Sequence, residues 1–143
     1  MPKLNKKFAI LKMKNLNISL DELQPIISIS FAEYQRDYIK RHAAEKIIEL
    51  IVEAASDVNR IILEAREDIP PETYYNTFTR LGELEILPQE LSSRLASTTG
   101  LRNRLVHRYD EIDHKIVYHS AVRLLKDYRR YFKLIEKYLQ QAH

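Results

Sequence analysis

The hydrophobic positions of this chain recur at helical spacing along most of its length. The strongest run lies between residues 44 and 65, where apolar residues fall three or four positions apart and so share one helix face. Its members are Ala44, Ile47, Ile51, Ala54, Val58, Ile61 and Ala65, backed by Ile48, Ala55 and Ile62. A second run of the same kind comprises Val117, Ala121, Leu125, Tyr128, Phe132, Ile135 and Leu139. Each run predicts a long helix with one buried face.

Helix-start signals surround these two runs. Ser19 and Glu22 form a capping box that predicts the start of a first helix, which Pro25 either kinks or opens. Further helices are predicted from about Pro71 and from Pro88, because proline is well tolerated in the first turn of a helix.

The helix from Pro88 continues into residues 100–113, and Asp113 is placed to cap a final helix. Gly100 either breaks this helix or permits close contact with another one. Only two Gly and five Pro occur in 143 residues, which is too few for a turn-rich β fold. We therefore predict an all-α fold, an antiparallel bundle of four principal helices plus a short helix.

Charge is distributed unevenly along the chain, whose net charge is +3. The first 16 residues contain five lysines and no acidic residue, so residues 17–143 carry 18 basic groups (23 minus 5) against 20 acidic ones. The lysines are Lys3, Lys6, Lys7, Lys12 and Lys14. We predict a basic N-terminal arm over residues 1–16 and one domain over 17–143. The arm is either a loose, solvated end or a segment that grips RNA.

Composition removes several classes of function. The absence of Cys excludes disulfides, thiol catalysis and Cys-ligated zinc. No apolar run approaches the roughly 18 residues that span a bilayer, so no membrane contact and a cytoplasmic location are expected. No Gly-rich phosphate loop or Gly-x-Ser-x-Gly elbow occurs, and His114 and His119 lack a metal-ligand spacing. Neither a metal nor a cofactor is expected.

The richest candidate chemistry lies in residues 100–113, which include Arg102, Asn103, His107 and Tyr109. On a helix, Asn103 and His107 share a face, as do Arg102 and Tyr109. Arg102 and His107 lie about 140° apart on a continuous helix. The two side chains therefore converge only if the helix ends near His107 or if a second copy of the segment packs alongside.

These residue types are suited to cleaving a phosphodiester bond in RNA. An imidazole can take a proton from a 2′-hydroxyl or give one to the departing 5′-oxygen, and a guanidinium stabilises the charge of the pentacovalent phosphate. His107 and Arg102 match those two roles. The alternatives are a His107 that caps or decorates a helix end and a Tyr109 that only packs against the terminus.

Two other sets of residues have a structural and a functional interpretation. Cations spaced four, three and four residues apart on the last predicted helix form either a solvated face or an RNA-binding face, and the solvated face is favoured. They are Lys126, Arg130, Lys133 and Lys137. The tyrosines are interpreted as core-edge or dimer-interface residues rather than base-stacking platforms; they include Tyr74, Tyr75, Tyr118, Tyr128, Tyr131 and Tyr138.

At residues 100–113 the chain resembles the HEPN superfamily, and specifically the HepT-like toxins of HepT/MntA toxin–antitoxin pairs. The family's Arg-x4-6-His motif falls on Arg102 and His107, its polar residue on Asn103, and its motif tyrosine on Tyr109. The resemblance extends to residues 43–62, 69–72 and 86–88 and covers about 18–140.

The resemblance implies a homodimeric HEPN bundle whose two motifs meet in a cleft. It implies a metal-independent endoribonuclease that cuts RNA, either tRNA or mRNA, and leaves a 2′,3′-cyclic phosphate and a 5′-hydroxyl. Arg102, His107 and Asn103 are the catalytic candidates, and Arg104 and Arg108 are weaker candidates for RNA contacts. It also implies an MntA-like nucleotidyltransferase antitoxin that attaches AMP to Tyr109. The competing hypotheses are a non-catalytic HEPN module that binds nucleotides or scaffolds a nucleotidyltransferase, and a purely structural dimerisation protein.

Overall fold

The computed structural model describes residues 3–67, 71–107 and 109–142. Within them the chain forms six α-helices and a 3₁₀ turn, with no strand. The helices are α1 (Lys6–Ile27), α2 (Phe31–Arg36), α3 (Tyr38–Arg66), α4 (Tyr74–Glu83), α5 (Gln89–His107) and α6 (His114–Gln141), and the 3₁₀ turn is Tyr109–Glu111. The predicted all-α class is confirmed.

Four of these helices, α1, α3, α5 and α6, build the bundle around one core. Helix α3 is central and contacts each of the other five helices, while α1 packs against α3 and α6. Neighbouring long helices run in opposite directions, since Lys6 near the start of α1 donates to the carbonyl of Ala142 after α6 at 3.2 Å. Lys12 of α1 likewise pairs with Asp57 of α3 at 3.2 Å. The predicted antiparallel bundle is therefore confirmed.

Helix α1 begins earlier than predicted. It starts at Lys6, where the Asn5 side chain caps it by accepting from the Phe8 amide, and it passes through the predicted start at Ser19 and through Pro25. Ala9, Met13 and Leu16 are buried in the core. The lysines of this segment thus project from a packed helix, so the interpretation of residues 6–16 as a loose, solvated end was wrong.

The buried face of α3 is rotated slightly from the predicted one. Ile48, Ala55 and Ile62, expected only to back the stripe, are fully buried, whereas Ile47 and Ile61 are partly buried. The rotation follows from the number of partners, because α3 must present apolar surface to α1 on one side and to α4, α5 and α6 on the other.

A buried polar network fixes the register of α3, α4 and α6. The Tyr131 hydroxyl, fully buried, donates to Asn59 Oδ1 at 2.6 Å, and Asn59 Nδ2 donates to Thr77 Oγ1 at 3.2 Å. Tyr128 is also fully buried and lies 2.8 Å from Thr98 Oγ1. Burial raises the pKa of both phenols above their ordinary range. These two tyrosines are structural rather than base-stacking residues, as predicted, but they lie inside the core and not at its edge.

Local capping chemistry fixes where α4 and α6 begin. Thr73 caps α4, whose first residue is Tyr74 rather than Pro71, and Asp113 caps α6 through the amides of Lys115 and Ile116. Gly82 lets α4 approach α5, since a Cβ there would lie 2.5 Å from Ser92 Oγ. This packing fixes the helix that carries the motif.

Candidate active site

All three predicted catalytic residues, Arg102, Asn103 and His107, lie in the last two turns of α5. The helix runs without interruption through Gly100 and ends at His107. Basic residues in this last turn, Arg104 and His107, are favourable there because the C-terminal end of a helix carries partial negative charge. Local sequence and helix electrostatics therefore agree on where the motif helix stops.

Arg102 is held where α3, α4 and α5 meet. Its Nη2 donates to Glu53 Oε2 at 3.3 Å and its Nη1 donates to Asn103 Oδ1 at 3.3 Å. The guanidinium carbon lies 5.1 Å from the centre of the Tyr74 ring, within range of a cation–π contact. Only 18% of the side chain is exposed, and its buried Nε has no hydrogen-bond partner among the described residues. Arg102 is thus positioned by three neighbours and keeps an unused donor.

His107 lies on a different side of α5 from Arg102, and Asn103 lies between them. Asn103 and His107 are both exposed and four positions apart on α5, while Asn103 Oδ1 also accepts from Arg102. His107 lies about 140° around the helix from Arg102, and no hydrogen bond or ion pair joins the two side chains within the described part of the chain. The helix does end at His107, as one of the two predicted conditions required, yet a single chain keeps the pair apart.

The remaining predicted site residues follow this helix end. The backbone of Tyr109 opens the 3₁₀ turn, whereas Arg108 and the Tyr109 side chain lie outside the described residues. Arg104 is exposed and lines a groove between α5 and α6.

Two neighbours of Arg102, Glu53 and Tyr74, were not predicted as site residues from the sequence. Glu53 is one of many acidic residues on the polar side of α3, and Tyr74 was grouped with the structural tyrosines. Each reaches Arg102 only through packing between helices that are far apart in sequence. The one local signal was that Glu53 interrupts an otherwise apolar stretch between Leu50 and Ala54.

The described residues contain neither a membrane-spanning helix nor a cluster of metal ligands. None of the helices is both long enough and apolar enough to cross a membrane. No group of three or more His, Asp or Glu side chains in residues 3–67, 71–107 and 109–142 is arranged to hold a metal ion.

Sequence comparison places the chain beside known ribonucleases. The sequence model of the family described as "Ribonuclease HepT-like" matches residues 16–135. A protein named tRNA nuclease HepT from Aphanizomenon flos-aquae is 36% identical over 120 residues, which cover 84% of this chain and 82% of that protein. A protein named mRNA nuclease HepT from Shewanella oneidensis is 26% identical over 105 residues, which cover 73% and 79%.

Structure comparison gives the same fold. A solved structure described as a tri-AMPylated Shewanella oneidensis HEPN toxin in complex with MNT antitoxin has a TM-score of 0.83 at 23% identity, covering 91% of this chain and 97% of that one. Another, described as a toxin–antitoxin with AMP-PNP, has a TM-score of 0.83 at 22% identity, covering 92% and 98%. The bundle is therefore HEPN-like, as predicted.

Proposed function

Because this chain belongs to the HepT-like ribonuclease family, we propose that it is the toxin of a toxin–antitoxin pair. We propose that it acts as a metal-independent endoribonuclease. Its substrate is RNA, either tRNA or mRNA, which places its activity in the cytoplasm. The observation that carries the proposal is the last two turns of α5, which carry a positioned Arg102 and an exposed Asn103 and His107.

The proposed reaction needs only side chains of the motif. The 2′-hydroxyl attacks the adjacent phosphorus while its proton passes to a base, and the P–O5′ bond breaks as the 5′-oxygen takes a proton. The products are a 2′,3′-cyclic phosphate and a 5′-hydroxyl. His107 transfers protons, Arg102 stabilises the negative charge of the pentacovalent phosphate, and Asn103 donates a hydrogen bond to it. Proton transfer and charge stabilisation are both supplied without a metal.

The divergence of Arg102 and His107 supports a site made by two copies of the chain. A two-fold dimer that apposes the two α5 ends would bring Arg102 of one copy towards His107 of the other. Gly100 supports the same arrangement, because it is exposed and a Cβ there would meet nothing within 4 Å in this chain. Glycine in a helix interior costs about 0.5–1 kcal/mol relative to alanine, so an approach by another chain would explain it.

We propose an MntA-like nucleotidyltransferase as the antitoxin, which silences the toxin by attaching AMP to Tyr109. Support comes from the solved structure described as a tri-AMPylated HEPN toxin in complex with MNT antitoxin, and from the one described as a toxin–antitoxin with AMP-PNP. Tyr109 is two residues beyond His107, so AMP there adds bulk and negative charge beside the site. Both effects oppose the entry of an anionic RNA backbone.

The direct test is cleavage of total RNA by purified protein in excess EDTA, with the product ends mapped. Wild type is compared with Arg102→Ala and His107→Ala. We expect cleavage that survives EDTA, leaves cyclic phosphate and disappears in both variants. Wild type and variants that are equally inactive on every RNA, while the protein still binds a nucleotidyltransferase, would support the scaffold hypothesis instead.

The two-copy site is tested by mixing the inactive variants. If Arg102 of one copy and His107 of the other form one active site, a dimer of one Arg102→Ala chain and one His107→Ala chain retains one intact site. Equal mixing after subunit exchange should then restore about a quarter of wild-type activity, since half the dimers are mixed and each has one site of two. No recovery in a mixture shown to contain mixed dimers would place each Arg–His pair within one chain.

A further inference from the structure

A cationic groove runs between α5 and α6 beside the motif. It encloses about 230 Å³ and has an apolar floor that includes Leu101 and Leu124. Its walls carry polar and charged side chains, namely Arg94, Ser97, Thr98, Arg104, Ser120 and Arg123, together with Asp127. Three guanidinium groups and three hydroxyls therefore face one narrow space that contains one carboxylate.

That carboxylate is already neutralised. Asp127 accepts from Nε and Nη2 of Arg94, both at 3.1 Å, which is a bidentate pair. Arg104 and Arg123 are exposed, and neither forms an ion pair with a carboxylate among the described residues. Among the described residues, the Arg123 guanidinium donates to Ser120 Oγ alone, at 3.4 Å. Ser97 and Thr98 donate to carbonyls of their own helix, at 3.1 and 2.6 Å. The groove thus presents two uncompensated guanidinium groups with the Ser120 hydroxyl next to them.

The groove leads to the proposed catalytic histidine. Ser97 and Arg104 are seven residues apart on α5 and share a face, and His107 is one turn beyond Arg104 on the same side. At that end a smaller cleft adjoins the groove and is lined by Arg104, Glu111 and Asp113. Asp113 is engaged in capping α6. A backbone seated between Arg104 and Arg123 would therefore pass towards His107.

The positive surface continues away from the site along α6. Lys126, Lys133 and Lys137 lie three, ten and fourteen residues after Arg123, so all four share one exposed face about 20 Å long. Arg130 of the same face is engaged with Glu90 at 2.9 Å, and the three lysines have no carboxylate partner among the described residues. The face is a linear array of cations that begins in the groove.

We propose that the α5/α6 groove binds the phosphodiester backbone of the RNA and directs it to His107, with Arg104 and Arg123 gripping phosphates and the lysines of α6 following the strand beyond. The inference rests on the proposed function for its choice of ligand. Guanidinium groups suit it because they bind phosphate oxygens bidentately, and the Ser120 hydroxyl adds a hydrogen-bond donor.

The test measures binding separately from cleavage. A fluorescently labelled single-stranded RNA is titrated with His107→Ala protein at several salt concentrations, and Arg104→Ala and Arg123→Ala are each introduced into that background. We expect each to raise Kd about 3- to 10-fold and to make the slope of log K against log salt shallower by about 0.7, the value for one lost phosphate contact on a single strand. Arg36→Ala is the matched control, because Arg36 is exposed and does not line the groove.

The outcomes separate this inference from the proposed function. Groove variants that bind like their parent, or an Arg36→Ala variant that weakens binding equally, would overturn the inference even if wild type cleaves RNA. Weakened binding confined to the groove variants, with unchanged thermal unfolding, supports it. If that pattern appears while wild type cleaves no RNA, the result supports RNA binding in the groove and contradicts the proposed nuclease activity.

Discussion

The two halves of α5 differ in whether their polar side chains have partners within the chain. In the packed half, residues 89–99, Ser92 is buried against α4 and donates to the Phe78 carbonyl at 2.6 Å. Arg94 is held by Asp127 and by Glu90, whose hydrogen bonds raise the pKa of its guanidinium. In the motif half, residues 100–107, Arg104, His107 and Gly100 are exposed, and no ion pair with a described residue of this chain engages either basic side chain.

The contrast shows how one helix can separate folding from function. The packed half satisfies its polar groups within the chain, so its residue types are explained by the bundle alone. Apart from Arg102, which pairs with Glu53, the charged side chains of the motif half form no ion pair with the described residues, which is typical of a surface that meets another molecule. Substitutions should therefore lower stability in the first half and activity in the second.

The largest effect is expected from His107→Ala. Losing a general acid–base group should lower RNA cleavage about 10²- to 10⁴-fold. The free energy of unfolding should change by less than about 0.5 kcal/mol, because His107 is exposed. The measurements are cleavage rate and chemical denaturation of the same preparation. A variant that retains most of its activity would exclude His107 as the proton-transfer group.

The two glycines provide a matched pair. In Gly82→Ala, the new methyl would lie 2.5 Å from Ser92 Oγ and 2.7 Å from Ser92 Cβ, so overpacking should destabilise the protein by about 1–3 kcal/mol. In Gly100→Ala, the methyl enters open space and should stabilise the chain by about 0.5–1 kcal/mol. Thermal unfolding of the two variants measures this difference in sign.

Of these two variants, the more stable one should be the less active one. Cleavage by folded Gly82→Ala protein should stay near wild type, whereas Gly100→Ala should dimerise more weakly and cleave more slowly if another chain approaches α5 there. A Gly100→Ala protein that is more stable, fully dimeric and fully active would show that no second chain approaches closely at this position.

An intermediate effect is expected from Glu53→Gln. The substitution removes the charge that holds Arg102 Nη2 but keeps the shape of the side chain. Cleavage should fall about tenfold, roughly 1.4 kcal/mol of transition-state stabilisation, with the loss in kcat rather than in KM. Glu49→Gln, which removes the partner of Lys46 one turn earlier on α3, is the control. An increase in activity would mean that Glu53 competes with phosphate for Arg102.

The smallest effect concerns the acid stability of the packed half. Hydrogen bonds from Arg130 and then from Arg94 lower the pKa of Glu90 below its ordinary value of 4.5. A carboxyl group whose pKa is lowered by folding stabilises the fold at pH values above its ordinary pKa. This contribution is lost as the pH falls through the pKa of the folded state. The Tm difference between wild type and Glu90→Gln should therefore narrow below about pH 4.5. Glu64→Gln, on an exposed residue of α3, should show no such narrowing.

The sequence was sufficient for the parts of the fold that local periodicity controls. The apolar stripes of α3 and α6 and the Asp113 cap were predicted because each depends on neighbours within a few residues. The start of α1 was missed because lysines interrupt its apolar positions and draw attention to charge. Their aliphatic stems are compatible with a helix whose other face carries Ala9, Met13 and Leu16.

The candidate site was predictable only in part. Arg102, Asn103 and His107 could be selected from their chemistry and spacing, and the divergence of Arg102 from His107 followed from helix geometry. Their catalytic roles stay predictions. Glu53 and Tyr74 could not be selected, since their relation to Arg102 exists only once α3, α4 and α5 are packed.

The buried phenols also have an optical consequence. The chain has nine Tyr and no Trp, so its near-ultraviolet absorbance is almost entirely that of tyrosine. Tyr128 and Tyr131 are fully buried, and burial raises the pKa of both phenols, so they should ionise only at a pH above the pKa of a free phenol. A raised pKa stabilises the fold until the pH exceeds about 10, the value of a free phenol, and the contribution then declines. Tyrosinate absorbance in an alkaline titration should therefore rise in two steps, and the second step reports the opening of the core in unlabelled protein.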